Sequence, residues 1–494
     1  MAQMAPWVLA EHQGQVEQGT WEGDGFPPMA IELWNRGNCN MAFSLGGFDL
    51  GALRADLSKA GCQILGEDGT GEAIRRWNGA LDPHLMLAVR CDTAIQASSA
   101  VRIADRAGIP LCVYSGGQDW NGRSLRNGSL VLDLSQMTAI EIDADRREAT
   151  VGGGVTTAQL NHAAGKHGLI AVIGNDGAVS MAGLTLGGGY GPLMTRFGLA
   201  CDNLLSAEIV LPDGTITSCD AERNADLFWA LRGGGGNFGI VTSMRLRLHT
   251  LGNVLAANLV FPWSDARAVL AYYAEMMLGA PAELFGAVVQ STGPAGKPVI
   301  VVSLVWTGEA AEGELIVAGI AAAGRPILVK AGPMPASNLL SLTDGKLTQG
   351  LGYEVATRWF QRLTHETIDM LLAAFETRSS RLTSIIVHHC HGAATEVKAD
   401  ATAFGMRDPH FTALIYAAWT PPQADAEPHR AWTRSLDTAL ASASLPGGYA
   451  NLLSDEVPER VRNAFGANAV RLAKVKSDID PTQLLSAIPL PIST

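Results

Sequence analysis

The 494-residue chain is 47% hydrophobic and 17% charged, with 55 glycines; this is a globular composition too long for one compact core, so two domains are expected. Its net charge of −12, from 36 Lys+Arg against 48 Asp+Glu, argues against nucleic acid as the partner and suits a small ligand. The seven dispersed cysteines form no CxxC pair, no secretory n-region opens the chain and no apolar run approaches the roughly 20 residues of a membrane helix, so disulfides, zinc and a membrane are not indicated and the cytoplasm is the expected compartment.

Residues 1–45 are irregular and carry no assignable role. From Phe48, FDLGALRADLSKAG has helical spacing. PHLMLAVRC, AIQASSAVRIADRAG and IPLCVY then read as a β-α-β unit with a right-handed crossover. The loop SGGQDWNG at 115–122 leaves the second strand directly. Further strands are expected in GSLVLDLSQM and AIEIDADRREATV, then a helix, TTAQLNHAAGKHGL, capped by Thr156 or Thr157. Two alternating strands flank Pro212-Asp213-Gly214, a hairpin turn. Helix ADLFWALR precedes GGGGNFG, and IVTSMRLRLHTL alternates as a half-buried strand. Beyond about 250 the glycine-rich loops thin out, and a second domain with an antiparallel sheet is expected.

Gly234-Gly235-Gly236-Asn237-Phe238-Gly239 satisfies G-x-G-x-x-G, but its context is reversed. A Rossmann loop leaves a strand and opens a helix, whereas here a helix precedes the glycines and a strand follows. No GxxxxGK[ST] occurs either. Glycines packed at 115–122, 183–191 and 233–239 instead suggest several backbone segments closing on one flat, extended ligand.

With RRWNGALDPHLMLAVRC, VYSGGQDWNG, LVLDLSQM, LTLGGGYGPLMTRFGLACDNL, VLPDGT, DLFWALRGGGGNFGIVT, GGYANLLSDE and FGANAVRLAKVKSDIDP in that order, the chain resembles the berberine-bridge-enzyme-like branch of the vanillyl-alcohol-oxidase flavoproteins. The resemblance implies an α+β fold. A two-lobed PCMH-type FAD-binding domain is expected at 46–250, and a substrate domain at 251–445 with an antiparallel sheet covered by helices. Residues 446–494 would form a segment returning to the FAD domain. By the same resemblance, Ser115, Gly116, Gly117, Gln118, Asp119 and Gly122 cradle the pyrophosphate of FAD. Asp176, Gly177, Val179, Ser180, Gly183 and Leu184, with Gly236, Asn237, Gly239, Ile240 and Val241, line the ribityl chain and ring. Tyr449 and Asn451 close over the isoalloxazine. The glycines at 187–189 read as packing glycines.

The chain departs from the family at both covalent anchors. The histidine of S-G-G-H is Gln118 and the cysteine of G-x-C-P-T-V-G is Asp176. Neither side chain can form the linkage, so non-covalent FAD is expected. Asp176 would bond a ribityl hydroxyl or cap a turn, and Asp119 would order its own loop. The two usual base positions hold Thr420 and Leu452, which leaves His388, His389 and His391 in SIIVHHCHGAA as the best base candidates, His389 and His391 foremost, with Tyr449 beside them and Tyr353, Tyr416 and Asp119 as weaker candidates. If that segment is a strand, His388 points to the opposite face. Val179 stands where a small residue leaves room for O2. The expected activity is an FAD-dependent oxidase taking hydride from a C–H beside a hydroxyl, amine or activated ring of a small organic molecule. A non-redox cyclisation or elimination on a borrowed flavin site, and a sugar or oligosaccharide oxidase, are the rival readings.

Overall fold

In the computed structural model, apolar β-branched runs bounded by glycine and proline fold into three main sheets. The model describes residues 7–10, 16–19, 49–66, 74–342, 348–421, 425–454 and 457–491. Of the 1–45 extension it describes two strands, Trp7–Ala10 and Val16–Gly19, paired antiparallel.

A four-stranded sheet has the order Gln63–Ile64, Leu87–Arg90, Leu130–Asp133, Leu111–Tyr114, and its last three strands are parallel. The crossover helix Ala94–Ala107 opens on a capping box between Thr93 and Gln96 and stops at Gly108, whose φ of 63° suits glycine. It buries Ala97, Ala100, Val101 and Ala104, spaced to form one apolar stripe.

The second sheet is antiparallel, ordered Ile216–Asp220, Leu204–Val210, Ile240–Arg247, Glu148–Gly152, Ile140–Asp143. Its hairpin turns at Gly214, with φ of 79°, where Asp213 Oδ1 accepts the Thr215 amide at 2.7 Å.

The third sheet has seven antiparallel strands in the order Leu328–Pro335, Asn253–Pro262, Pro298–Trp306, Leu284–Thr292, Ser384–Cys390, His410–Trp419, Gly352–Phe360. Helices Ala266–Leu278, His365–Glu376 and Glu427–Leu440 cover one face, and Val288, Val302, Phe360, Leu371, Val387, Phe411 and Leu436 fill the layer between. The opposite face lies against the segments before residue 250. Phe285, Ala287, Val305 and Trp359 share one apolar cluster with Leu169, Ile173, Met181, Phe238 and Tyr449.

The C-terminal helix Ala469–Ile479 returns to the helix Ala225–Leu231, and Leu485 bridges to Leu111 of the first sheet. A buried ion pair, Lys476 Nζ to Asp480 Oδ2 at 2.6 Å, fixes this return, with Lys476 also donating to the carbonyls of Asn237 and Leu485. Among the described residues no helix is long and apolar enough to cross a membrane.

Candidate functional site

A cavity of about 400 Å³ lies at the carboxyl ends of Leu111–Tyr114 and Leu130–Asp133, where open parallel sheets place their ligands. Ser115, Gly116, Ser135, Thr156, Arg75 and Arg90 line it. The loop after Tyr114 turns at Gly117 (φ 66°) and Gly122 (φ 72°). A Cβ on Gly117 would sit 2.5 Å from the Arg75 carbonyl, and one on Gly116 would sit 3.1 Å from the Ser180 amide. Only glycine therefore lets these backbones close around the cavity.

The second wall is the 176–180 loop, pinned to the helix Thr157–Gly165. Gly177 and Val179 carbonyls accept the Ala158 and Thr157 amides at 3.0 and 2.8 Å. Asp176 Oδ1 accepts the Ala178 amide at 2.8 Å, an Asx turn that shapes the loop. Ser180 caps the short helix Met181–Leu186, which carries Gly183 and Leu184. The Leu184 side chain lies 3.3 Å from where a Gly174 Cβ would be. Gln118, half-buried, stands in the first loop.

Amides, hydroxyls and two guanidiniums around an elongated cavity suit a pyrophosphate-linked dinucleotide. Arg90 is already paired with Asp133, at 3.1 Å, whereas Arg75 is exposed at the rim.

Beyond the loop, Asp119 pairs with Arg123, Oδ1 to Nη2 at 2.7 Å. The guanidinium also donates to the carbonyls of Asn451 at 2.7 Å and Leu453 at 3.4 Å. Asn78 donates to the carbonyls of Trp120 and Tyr353 and accepts the Tyr353 amide at 2.9 Å, tying the loop to the seven-stranded sheet. Trp77 stacks on Tyr353 at 3.8 Å beside Tyr416.

Tyr449 Oη accepts the Gly189 amide at 3.3 Å and the Asn451 amide group at 2.9 Å. Burial pushes its phenol up to about 12. Against it lies Tyr190, 4.7 Å between ring centroids, whose Oη is 2.9 Å from His410 Nε2. His410 Nδ1 is 2.7 Å from the Asp408 carbonyl. That carbonyl accepts a hydrogen bond from Nδ1–H, which leaves Nε2 to accept from Tyr190. Burial lowers His410 to about 4 and His388 to about 3, so both imidazoles are neutral near pH 7.

Comparison with known proteins places these loops. Residues 86–220 match the model of an FAD binding domain, and 448–487 match the berberine and berberine-like model. An (R)-6-hydroxynicotine oxidase from Paenarthrobacter nicotinovorans is 30% identical over 448 residues, covering 87% of this chain and 96% of the relative. The chain belongs to the berberine-bridge-like FAD-linked oxidoreductases. An FAD-linked oxidoreductase of Dictyostelium discoideum is 27% identical, covering 82% of this chain and 88% of its own. The crystal structure of 6-hydroxy-D-nicotine oxidase from Arthrobacter nicotinovorans superposes with a TM-score of 0.77 at 26% identity, covering 86% and 96% of the two chains. A berberine-bridge-like protein of Physcomitrella patens shares the fold, with a TM-score of 0.80 at 22% identity and 89% and 99% coverage.

Within this FAD-linked oxidoreductase, the histidine assignment needs correction. His389 and His391 lie on the helix-covered side of the sheet: His389 packs on Phe411 at 4.4 Å, and their Nδ1 atoms are 3.1 Å apart. His391 Nε2 is 3.2 Å from the Pro281 carbonyl. Strand alternation turns His388 the other way, onto Tyr190, 5.0 Å between ring centroids. Of the three candidate histidines, only His388 therefore faces the segments before residue 250.

The 236–241 segment is held by the C-terminal return. The Asn237 side chain is spent on the backbone, donating to the Gly234 and Ile488 carbonyls and accepting the Ala487 amide. Gly236 lies near Ala487, Gly239 abuts Ile209, and Ile240 is fully buried in the first-sheet core. The Val241 carbonyl lies 2.4 Å from where a Cβ on Gly153 would be, next to the cavity-lining residue Gly154. At 187–189, added Cβ atoms would strike Asn451, Phe404 and Ala200, so close packing demands those glycines.

Sequence reading missed Arg75, Ser135, Arg123, Tyr190 and His410. Arg75 and Ser135 were findable, because they stand beside the glycine loop and just past a parallel strand's carboxyl end. Tyr190 and His410 are 220 residues apart, and no local pattern joins them.

Proposed function

We propose that this chain is an oxidase with non-covalently bound FAD. It would take hydride from a C–H beside an amine, hydroxyl or activated ring of a small organic substrate, with O2 as the final acceptor. The observation that carries the tether-free reading is the pair of anchor positions: Gln118 offers an amide and Asp176 a carboxylate, neither of which can form the linkage. The oxidase reading draws on the oxidase names among the relatives and on Val179 in the ring-side loop. A nitrogen heterocycle is the first substrate class to try, by the same kinship.

FAD, when bound, supplies the two-electron acceptor. The loop 115–122, the 176–180 loop and Arg75 would hold its pyrophosphate end through backbone amides and charge. The base would be Tyr190 rather than a strand histidine. Its Oη would take the substrate proton as its own proton passes to His410 Nε2, which the Asp408 carbonyl orients. Tyr353, Tyr416 and Trp77 give the substrate sheet an aromatic, uncharged wall that excludes water.

Acid precipitation tests the cofactor reading. All of the yellow flavin is expected in the supernatant; flavin staying with the precipitated chain overturns the tether-free assignment.

A further inference from the structure

The loop that rims the cofactor cavity and the segment that returns from the C-terminus meet on one side chain. Arg123 is 4% exposed and uses both edges of its guanidinium. One edge, Nε and Nη2, reaches Asp119 Oδ1 at 3.0 and 2.7 Å, while the Arg123 amide donates to Asp119 Oδ2. This closes the turn that follows Gln118. The other edge reaches the carbonyls of Asn451 and Leu453, 328 and 330 residues along the chain.

The same short segment is fastened from its far side. Tyr449 Oη takes the Gly189 amide, and the Asn451 side chain fills the space above Gly187 that a Cβ would need. Gly187 and Gly189 follow directly on the helix that Ser180 caps, and the backbone of Ser180 touches Gly116 of the cofactor loop. Arg123 and Tyr449 thus hold the two ends of a closed ring of contacts around the cofactor loops.

We infer that Arg123 is a positioning residue that locks the cofactor loop to the return segment, so that FAD binding and docking of residues 449–453 stabilise each other. The coupling is reciprocal by thermodynamic necessity: whatever FAD gains from a docked segment, the segment gains from FAD. A guanidinium is required because two carbonyls and a carboxylate must be met at once by donors in one fixed plane, which a lysine ammonium cannot do. This inference rests on the FAD reading above.

The test uses purified full-length protein. FAD affinity is read from flavin fluorescence on the apoprotein, and segment docking from brief chymotrypsin digestion, scored for cleavage after Tyr449, Leu452 and Leu453. The environment of the bound flavin is read from visible circular dichroism. In the wild type, FAD is expected to slow that cleavage at least tenfold. Arg123→Ala should weaken FAD binding tenfold or more, alter the visible dichroism and remove the protection by FAD, and millimolar guanidinium should restore part of both. Arg123→Lys should fall between, which a simple loss of charge would not produce. Arg123→Ala with wild-type FAD affinity, dichroism and protection overturns the inference. So does a wild type whose cleavage FAD leaves unchanged, a measurement that needs no variant to fold. If the wild type binds no FAD at all, the cofactor reading itself has failed; if it binds FAD and only the coupling is missing, this inference alone falls.

Discussion

The two faces of the seven-stranded sheet are made by alternate residues of the same strands, yet they do different work. On the helix side, Val387, Phe411 and Phe360 make a sealed apolar layer. On the side toward the FAD-binding segments stand Thr357, Trp359, His388, His410, Thr412 and Tyr416, buried, polar and uncharged at neutral pH. Of their polar atoms, Thr357 Oγ1 and His388 Nε2 have no hydrogen-bond partner, whereas Thr412 and Trp359 group around the Tyr190 hydroxyl. Unpaired buried polar atoms occur on the helix side as well, at His389 Nε2 and on the Gln290 amide, so what distinguishes the two faces is the density of polar side chains. Adjacent residues, His388 and His389, fall on opposite sides of that division.

Substitutions on each face can break the comparison. The largest expected effect is on catalysis: Tyr190→Phe should slow substrate-dependent anaerobic flavin bleaching about a hundredfold, the usual span of a general base, with flavin content unchanged. His389→Leu should leave that rate within about threefold; a hundredfold loss there would restore the strand histidine as base. The pH profile sharpens the point. With His410 lowered to about 4, the bleaching rate should hold through pH 6.5 and fall only as the pH drops through about 4.

Next in size is Phe411→Ala on the helix side. Phe411 is fully buried, so its loss should cost about 3–5 kcal/mol in denaturant unfolding and leave the flavin spectrum unmoved. Acid should then act on both faces. His388, His389 and His410 have folded pKa values below the unfolded 6.5, so the unfolded chain binds the extra protons. Stability is fully present above pH 6.5 and is lost as the pH falls from there, toward about 4 for His410 and about 3 for His388 and His389, at up to about 1.4 kcal/mol per pH unit for each imidazole. His388→Leu should make the slope of melting temperature against pH shallower. The smallest effect is expected at Thr357→Val, which removes a buried hydroxyl without a partner: stability should hold or rise by about 1 kcal/mol.

What could be read from the sequence was local or periodic. The capping box at Thr93, the turn at Gly214 and the glycine loop at 115–122 follow from residues within a few positions of one another. The alternation of His388 and His389 was equally legible. Which of those faces meets the FAD-binding segments was not, because strand order and helix placement decide it, and both join residues a hundred or more apart. The partners of Asn237 were hidden for a related reason: its motif looked like a ligand loop, but Ile488 and Ala487 arrive from the far end of the chain. The pairing of Arg123 with Asp119 lay within one turn, whereas its grip on Asn451 did not.

The apolar cluster in which Trp359 and Phe285 meet Ile173 and Met181 runs across the boundary near residue 250 that composition suggests. A shared interior couples the unfolding of the two halves, and calorimetry is expected to record a single transition; two resolved transitions would show that each half holds its own core. Neither half expressed alone has a finished interior. Exchange of substrate specificity among relatives should proceed by changing residues on the polar face, because swapping the whole domain would cut through the core that holds both halves folded.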